Sequence, residues 1–359
     1  MSSSVAGATS TAGAAPSAVL HVVKRLAAGE PPEPQELTDA FEVILRGDAT
    51  PVQIASLLIG LRVKGETGEE LAAVVRAFRH AMVTIPVDRP EDLVDTCGTG
   101  GGAINTFNIS TAAALLIAGS GIRVAKHGNR SFTTQCGSAD VLEELGVSIE
   151  APVSVMRTAL EDAGIVFMFA PLMHPAMRHV GPIRRELGIP TVMNMVGPLA
   201  NPAHAGRQVV GVADAKRLHL MAGALKALDT EHALVVHGAG MDEISPFGET
   251  EVAEVRDGRV VEWAIDPKHY GFGGGSPADI AGGTREHNAA TVMRVLRGDG
   301  NAPSIAAVVL NAAAGFYVSG RVGDFGQGVE AARGAIASGA GLVALERLRA
   351  AFAHRPASA

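Results

Sequence analysis

Apolar positions in the first quarter of the chain recur with helical spacing and no other. Leu37, Ala40, Phe41, Ile44 and Leu45 fall on one face of a helix. Thr50-Pro51-Val52-Gln53 opens a further helix as a capping box, with proline at the first helical position, where its missing N–H is not needed. Thr67-Gly68-Glu69-Glu70 repeats the device ahead of Leu71, Val74, Val75, Phe78 and Met82. Residues 18–84 therefore read as helices only, and Ile85 to Asp92, rich in proline and acids, reads as a linker. A bundle this small leaves an apolar face to cover, which suits a dimer surface.

From Leu93 the pattern changes to short β-rich runs alternating with helices. Strands are expected at 93–97, 122–126, 165–170, 191–194, 208–212 and 232–237, with helices such as 138–145, 152–163 and 215–228 between them. That alternation predicts an α/β fold with a mostly parallel central sheet covered by helices, joined to a small helical N-terminal domain. Residues 251–265, centred on Asp257-Gly258, predict a β-hairpin. Gly271 to Gly275 reads as a flexible loop, and 284–354 as mostly helical. The expected division is a flexible tail over 1–20, a helical domain over 21–90 and an α/β domain over 91–359. No internal repeat is evident.

Composition narrows the chemistry. A chain of 359 residues that is 47% hydrophobic buries a sizeable core. Its net charge of −7 attracts no polyanion, so a phosphate site must be a local concentration of cations, N–H groups and metal. Cys97 and Cys136 are the only cysteines and have no metal-ligand spacing, which fits a reducing cytoplasm better than a disulfide scaffold. No apolar run reaches membrane-spanning length, and residues 1–17 lack the basic and apolar regions of a signal peptide.

Four stretches carry candidate chemistry. Asp95-Thr96-Cys97-Gly98-Thr99-Gly100-Gly101-Gly102 runs from a strand into Thr106-Phe107-Asn108-Ile109-Ser110-Thr111, the start of an apolar helix. Strand, glycine loop and helix N-terminus present free N–H groups to an anion, though an ordinary tight turn would read the same way. Lys126-His127-Gly128-Asn129-Arg130-Ser131-Phe132-Thr133-Thr134 follows a strand and offers cations, hydroxyls and an amide; Gly137-Ser138-Ala139-Asp140 then starts a helix with Ser138 as N-cap or ligand contact. Arg184 lies in Gly181–Gly188, ahead of a loop at Asn194–Pro202 that reads as a rigid wall. Asp242-Glu243, after a strand and a glycine turn, suits magnesium or is a pair of solvated acids. His127, His174, His179 and His237 share no metal spacing, so packing or hydrogen-bonding roles are expected of them.

Taken in order, Gly98-Thr99-Gly100-Gly101, Thr106–Thr111, Lys126–Arg130, Gly137–Asp140, Arg184, Gly197-Pro198-Leu199 and Asp242-Glu243 resemble the motifs of the anthranilate phosphoribosyltransferases, over about residues 21 to 354. The resemblance implies that a segment around 172–188 returns to the helical domain and that homodimers form through helices. It implies transfer of phosphoribose from phosphoribosyl pyrophosphate (PRPP) to anthranilate. Gly98, Gly101, Gly102, Thr106, Asn108, Ile109, Ser110, Thr111, the Lys126–Thr134 loop and Ser138 would hold PRPP. Gly98, Asn129 and Arg184 would face anthranilate, and Ser110, Asp242 and Glu243 would serve two Mg2+ ions. The family's first loop usually continues with Asp-Gly; here Gly102-Ala103 removes that carboxylate, while Thr133-Thr134 in place of serines keeps the hydroxyls. Two other readings stand beside this one: a pyrimidine nucleoside phosphorylase with a similar lysine loop, and a non-catalytic relative that binds nucleic acid. The negative net charge and the lack of a Lys/Arg cluster disfavour the latter.

Overall fold

The computed structural model describes residues 15–131 and 135–353. Four helices come first: α1 (Ala15–Ala27), α2 (Pro34–Arg46), α3 (Pro51–Lys64) and α4 (Gly68–Ala81). Both capping boxes form: Thr50 accepts from the Gln53 N–H and Thr67 from the Glu70 N–H, while Gln53 and Glu70 return the contact. The expected tail is corrected at its end, because α1 starts at Ala15 and takes in residues assigned to it. Residues 1–14, and Phe132, Thr133 and Thr134 of the lysine loop, lie outside the described residues.

The second unit carries a seven-stranded sheet of order β3-β2-β1-β4-β5-β6-β7. Its strands are β1 (Val94–Gly98), β2 (Val124–Gly128), β3 (Ile165–Phe169), β4 (Arg207–Gly211), β5 (His232–Gly238), β6 (Thr250–Arg256) and β7 (Arg259–Ile265). The first five run parallel, and β5-β6-β7 is antiparallel, with the hairpin turn at Asp257-Gly258 as expected. The helices are α5 (Ile109–Gly119), α6 (Ser138–Glu144), α7 (Val153–Ala163), α8 (Ala170–Met173), α9 (Gly181–Leu187), α10 (Met193–Leu199), α11 (Leu218–Ala227), α12 (Arg285–Arg297), α13 (Ala302–Val318), α14 (Phe325–Ala337) and α15 (Ala340–Ala353).

One strand expectation is wrong. Residues 191–194 enter α10, because Asn194 Oδ1 accepts the Thr191 N–H at 3.1 Å and closes a helical first turn. That local hydrogen bond outweighs the β-preference of Thr191 and Val192. The wall expected at 194–202 is accordingly helical as far as Leu199.

Strand side chains alternate between two cores. Val209, Leu234 and Val236 face a core shared with α5, α7 and α12–α15. Val210, Ala233 and Val235 face the opposite one, which is continuous with the buried residues of the N-terminal bundle. The bundle thus shares a core with one face of the sheet. The turn Pro175–His179 lies against α2 and α9 lies against α3. Helix α4 approaches α11 so closely at Gly68 that a Cβ there would come within 2.8 Å of the Gly223 backbone. Near the other end of α4, Arg79 donates two bonds to the Leu199 carbonyl of α10, at 2.9 and 3.3 Å. Among the described residues no single helix is long and apolar enough to cross a membrane.

Candidate functional site

Four parallel strands, β1, β2, β4 and β5, each end in glycine: Gly98, Gly128, Gly211 and Gly238. The reason is crowding. A Cβ on Gly98 would sit 2.6 Å from Asp242 Oδ2, and one on Gly211 would overlap the Asp242 carbonyl oxygen. One on Gly238 would overlap the Glu243 carbonyl, and one on Gly128 would overlap Ser138 Oγ. Real Cβ atoms do not tolerate such approaches, so these ends bring the Asp242-Glu243 turn onto β1 and β4, and the start of α6 onto β2. This is the carboxyl edge of the sheet, where open α/β folds place ligands. Only Gly98 and Gly128 had been expected in the site; the run Val209-Val210-Gly211 and the His237-Gly238 pair were the available signals for the other two.

The glycine loop and the acid pair are joined directly. Gly100 donates its N–H to Asp242 Oδ2 at 2.8 Å, and Ala103 donates to the Gly240 carbonyl at 3.1 Å. Ser110, in the first turn of α5, donates its N–H to Glu243 Oε1 at 3.3 Å. Behind the acids, Asn311 of α13 accepts from the Ile244 N–H and donates back to its carbonyl, both at 3.0 Å, which fixes the turn. Gly102, in the place of the family's usual carboxylate, is backed by Asp242 Oδ1.

Lys126 is buried beneath this arrangement. Its ammonium donates to the Thr96 carbonyl and, at 3.2 Å, to Ser110 Oγ. Burial pulls its pKa down, while Asp95, Cys97 and Glu243 push it back up. Glu243 shows the reciprocal effect. Burial first and the neighbouring Asp242 charge second raise its carboxyl to about 8, against the lowering influence of Lys126 and the Ser110 N–H. Asp242 is raised as well, by burial. Asp95, fully buried, is pushed up to about 6 by desolvation; Lys126, the Asn201 amide and the His127 N–H restrain it. Asn201 also donates to the Ala125 carbonyl at 2.8 Å, so Asp95 and Asn201 together tie β1 to β2.

A small cavity of about 10 Å³ opens between Thr96, Cys97, Ser110, Gly211, Asp242, Glu243 and Asn311. It has room for one water-sized guest. Most of its polar lining is oxygen, from Thr96, Ser110, Asn311 and two carboxylates that burial has left uncomfortable as anions. That set fits magnesium, which takes oxygen ligands and keeps waters, and does not fit zinc. Among the described residues no group of three or more His, Cys, Asp or Glu side chains could hold a metal.

The second half of the lysine loop is braced from within. Arg130, expected at PRPP, has its guanidinium committed to Asp140 at 2.8 Å and to Glu143, and stacked on Phe169 at 5.6 Å. The structure therefore makes it a loop brace. Asn129 accepts from Arg130 N–H through Oδ1 at 2.8 Å, and its carbonyl accepts from Ser138 Oγ at 3.3 Å. The N-cap of α6 is Gly137, not Ser138, and Asp140 Oδ2 takes the Gly137 N–H at 2.8 Å. Ser138 is then the first residue of the helix, its hydroxyl on the loop carbonyl. His127 donates from Nδ1 to the Gly197 carbonyl at 3.2 Å and meets His174 Nε2 at 3.2 Å. Burial lowers His127 to about 3 and His174 to about 4, so both rings are neutral and set the loop by hydrogen bonding. His237 Nδ1 meets the Val212 carbonyl, and His179 is packed against Gly47.

Of the remaining expected residues, Thr106 makes a β-bridge to Ala281 and Ile109 is fully buried. Thr111 buries an Oγ1 with no hydrogen-bond partner. Gly101 takes a positive φ of 79°, open to solvent. Arg184 stands apart on α9. It is half-buried, its pKa is lowered by burial, and among the described residues its guanidinium has no hydrogen bond or ion pair. A half-desolvated guanidinium without a protein partner among the described residues is free to donate to a ligand carboxylate.

Known proteins share this chain's sequence pattern and fold. Residues 90–342 match the family model described as glycosyl transferase family, a/b domain, and residues 20–82 match its helical bundle domain. The anthranilate phosphoribosyltransferase of Rubrobacter xylanophilus is 48% identical over 90% of this chain and 95% of its own. The crystal structure of that enzyme from Thermus thermophilus superposes with a TM-score of 0.87 at 42% identity, covering 92% of this chain and 99% of that one. The Saccharomyces cerevisiae enzyme, solved in complex with PRPP and Mg, gives 0.86 at 27% identity, over 94% and 99% of the two chains. The chain belongs to the anthranilate phosphoribosyltransferase family, a glycosyltransferase family built from a helical bundle and an α/β domain.

Proposed function

We propose that the protein moves phosphoribose from PRPP to the amine of anthranilate, giving N-(5-phosphoribosyl)anthranilate and pyrophosphate, a step of tryptophan biosynthesis. The observation that carries this reading is the meeting of the glycine loop, the α5 N-terminus and the half-buried Asp242-Glu243 pair at one sheet edge. Breaking the anomeric C–O bond develops negative charge on pyrophosphate and positive charge on the ribose. Asp242, Glu243 and Ser110 would hold magnesium, two ions on this reading, and the metal would supply positive charge to offset that of the leaving pyrophosphate. The N–H groups of Gly101, Gly102 and Ile109 are left to meet the same developing charge, while the Ser110 N–H is held by Glu243. Lys126 sits one layer below. It orients Ser110 and offsets the carboxylates, where a direct grip on pyrophosphate had been expected. Thr106, Asn108, the main chain of 128–131 and Ser138 complete the PRPP pocket, with Thr111 buried behind it. Gly98, Asn129 and Arg184 receive anthranilate. The aromatic amine is already neutral near pH 7, so positioning it at the anomeric carbon matters more than a strong base.

Loss of anthranilate fluorescence in the presence of PRPP, followed across a magnesium titration, tests the reading. No turnover at any magnesium level overturns it, and phosphate-dependent cleavage of a pyrimidine nucleoside in its place establishes the phosphorylase. The same proposal places the protein in the cytoplasm as a homodimer joined through the helical domain. Leu20, Val52 and Val63, exposed on α1 and α3, support that surface, and light scattering after size exclusion measures it.

Two quantitative expectations follow from the geometry. Arg184→Ala raises the KM for anthranilate roughly 10- to 100-fold, the value of a charged hydrogen-bonded pair, and leaves that for PRPP within a few-fold. Equal effects on both substrates contradict the assignment. The second concerns pH. Below about 8 the Glu243 carboxyl keeps its proton in the metal-free protein, and a cation must displace it. Magnesium affinity should therefore climb by up to about tenfold per pH unit from weakly acidic conditions and level off above Glu243's value. Calorimetry in buffers of different ionisation enthalpy should show the released proton.

A further inference from the structure

The N-terminus of α5 and the turn entering α6 must keep a fixed spacing if both grip one sugar diphosphate, and the Asn108 side chain ties them through Cys136. That tie is itself held from 180 positions further along the chain. Asn288, in the first turn of α12, is 1% exposed. Its Nδ2 donates to Asn108 Oδ1 at 2.8 Å, and its Oδ1 accepts the Gly283 N–H at 2.8 Å. Asn108 Nδ2 passes the chain on to the Cys136 carbonyl at 3.2 Å, and Cys136 Sγ returns to Asn108 Oδ1 at 3.4 Å. The other end is anchored too: Gly282 donates to the Asn105 carbonyl at 2.9 Å, and Thr106 bridges Ala281. One pair of carboxamides thereby joins residues 281–283, 105–108 and 136–137.

Asn108 is sensitive to such a tie. It sits in the left-handed region at φ 60°, ψ 47°, as the residue that starts α5, and its side chain does not cap that helix. Left-handed backbone is uncommon outside glycine, and asparagine tolerates it best when its side chain is held. The residues that hold it are Asn288 and Cys136. A change in the Asn108 backbone would re-aim the N–H groups of Ile109, Ser110 and Thr111, which start the helix at the acid pair.

We infer that Asn288 is a positioning residue for the sugar-diphosphate pocket. It acts through Asn108 and sets the spacing between the α5 N-terminus and the loop that ends at Ser138. The inference rests on the proposed reaction. Its test is steady-state kinetics of Asn288→Ala and Asn288→Asp with both substrates, alongside Asn108→Ala and the Asn108→Ala/Asn288→Ala double variant. Asn288→Asp keeps the acceptor for Gly283 and turns an oxygen toward Asn108 Oδ1, so it serves alone if Asn288→Ala does not fold. The expected result is a KM for PRPP raised about tenfold or more in each Asn288 variant, with the KM for anthranilate within twofold. The double variant should be no worse than Asn108→Ala alone, because both act on one link. Parallel rises in both KM values, or additive effects in the double variant, overturn the inference. Absence of turnover in the unmodified protein defeats the reaction itself; normal turnover there with unaltered Asn288 variants defeats this inference alone.

Discussion

Turnover is expected to fall by about 10²–10³ when Asp242 and Glu243 become Asn and Gln together, with the fold intact. The two amides keep an acceptor for the Gly100 and Ser110 N–H groups, so the loop contacts survive. What is lost is charge. In the metal-free protein the two carboxyls already resist ionisation, Glu243 to about 8, because burial disfavours both anions and the Asp242 charge adds to the effect on Glu243. Neutral amides carry no such desolvation cost at any pH, and the thermal midpoint should hold or rise while activity collapses. This is the opposite of the signature of a damaged fold, and it is the pattern of a site that trades stability for function. A double variant that keeps its magnesium response and its rate would remove the metal from Asp242 and Glu243.

The placement of that pair was legible in the sequence; its surroundings were legible only in part. Local signals read well. Thr50 and Thr67 announced helix starts because hydroxyl, proline and acid or amide occupy fixed short offsets. Asp257-Gly258 announced its hairpin for the same reason. The stretch 191–194 misled because Thr191 and Val192 carry β-branched side chains, whereas a single amide, Asn194, closes the turn. Site residues contributed by distant segments left weaker traces. Gly211 and Gly238 are required by contacts with Asp242 and Glu243, which sequence spacing does not express. Arg130 looks like a phosphate ligand until Asp140 and Glu143 come within reach of it, 10 and 13 positions on. Asn201, Asn288 and Asn311 are single amides in apolar or ordinary surroundings, and only the folded chain shows that each is nearly fully buried and hydrogen-bonded through both its oxygen and its nitrogen. The bundle gave its helices away by periodicity, but its core continues onto the sheet, so its packing partners lie far along the chain.

Lys126→Met is expected to lower turnover by a comparable factor, about 10²–10³, and to leave a pH signature that unfolding cannot imitate. The ammonium is nearly fully buried and points at the Thr96 carbonyl and Ser110 Oγ, so methionine fills the space and deletes the charge and its donors. Ser110 Oγ loses the ammonium that donates to it, while its N–H stays on Glu243. Asp95 and Glu243 lose a cation that lowers both carboxyls, so each must rise above the present values of about 6 and about 8. For an acid, a higher folded-state value means that the proton is held to higher pH. Magnesium must then displace protons that are more firmly bound, and the alkaline rise in magnesium affinity should move to higher pH than in the unmodified protein. The residual activity should follow the same displacement. Some destabilisation accompanies the change, since Asp95 stays buried with only Asn201 and the His127 N–H to hold its charge, but protonation of Asp95 limits it near neutral pH. A Lys126→Met variant whose magnesium affinity rises through the same pH range as the unmodified protein would show that the ammonium is not coupled to the acid pair, whatever its effect on rate.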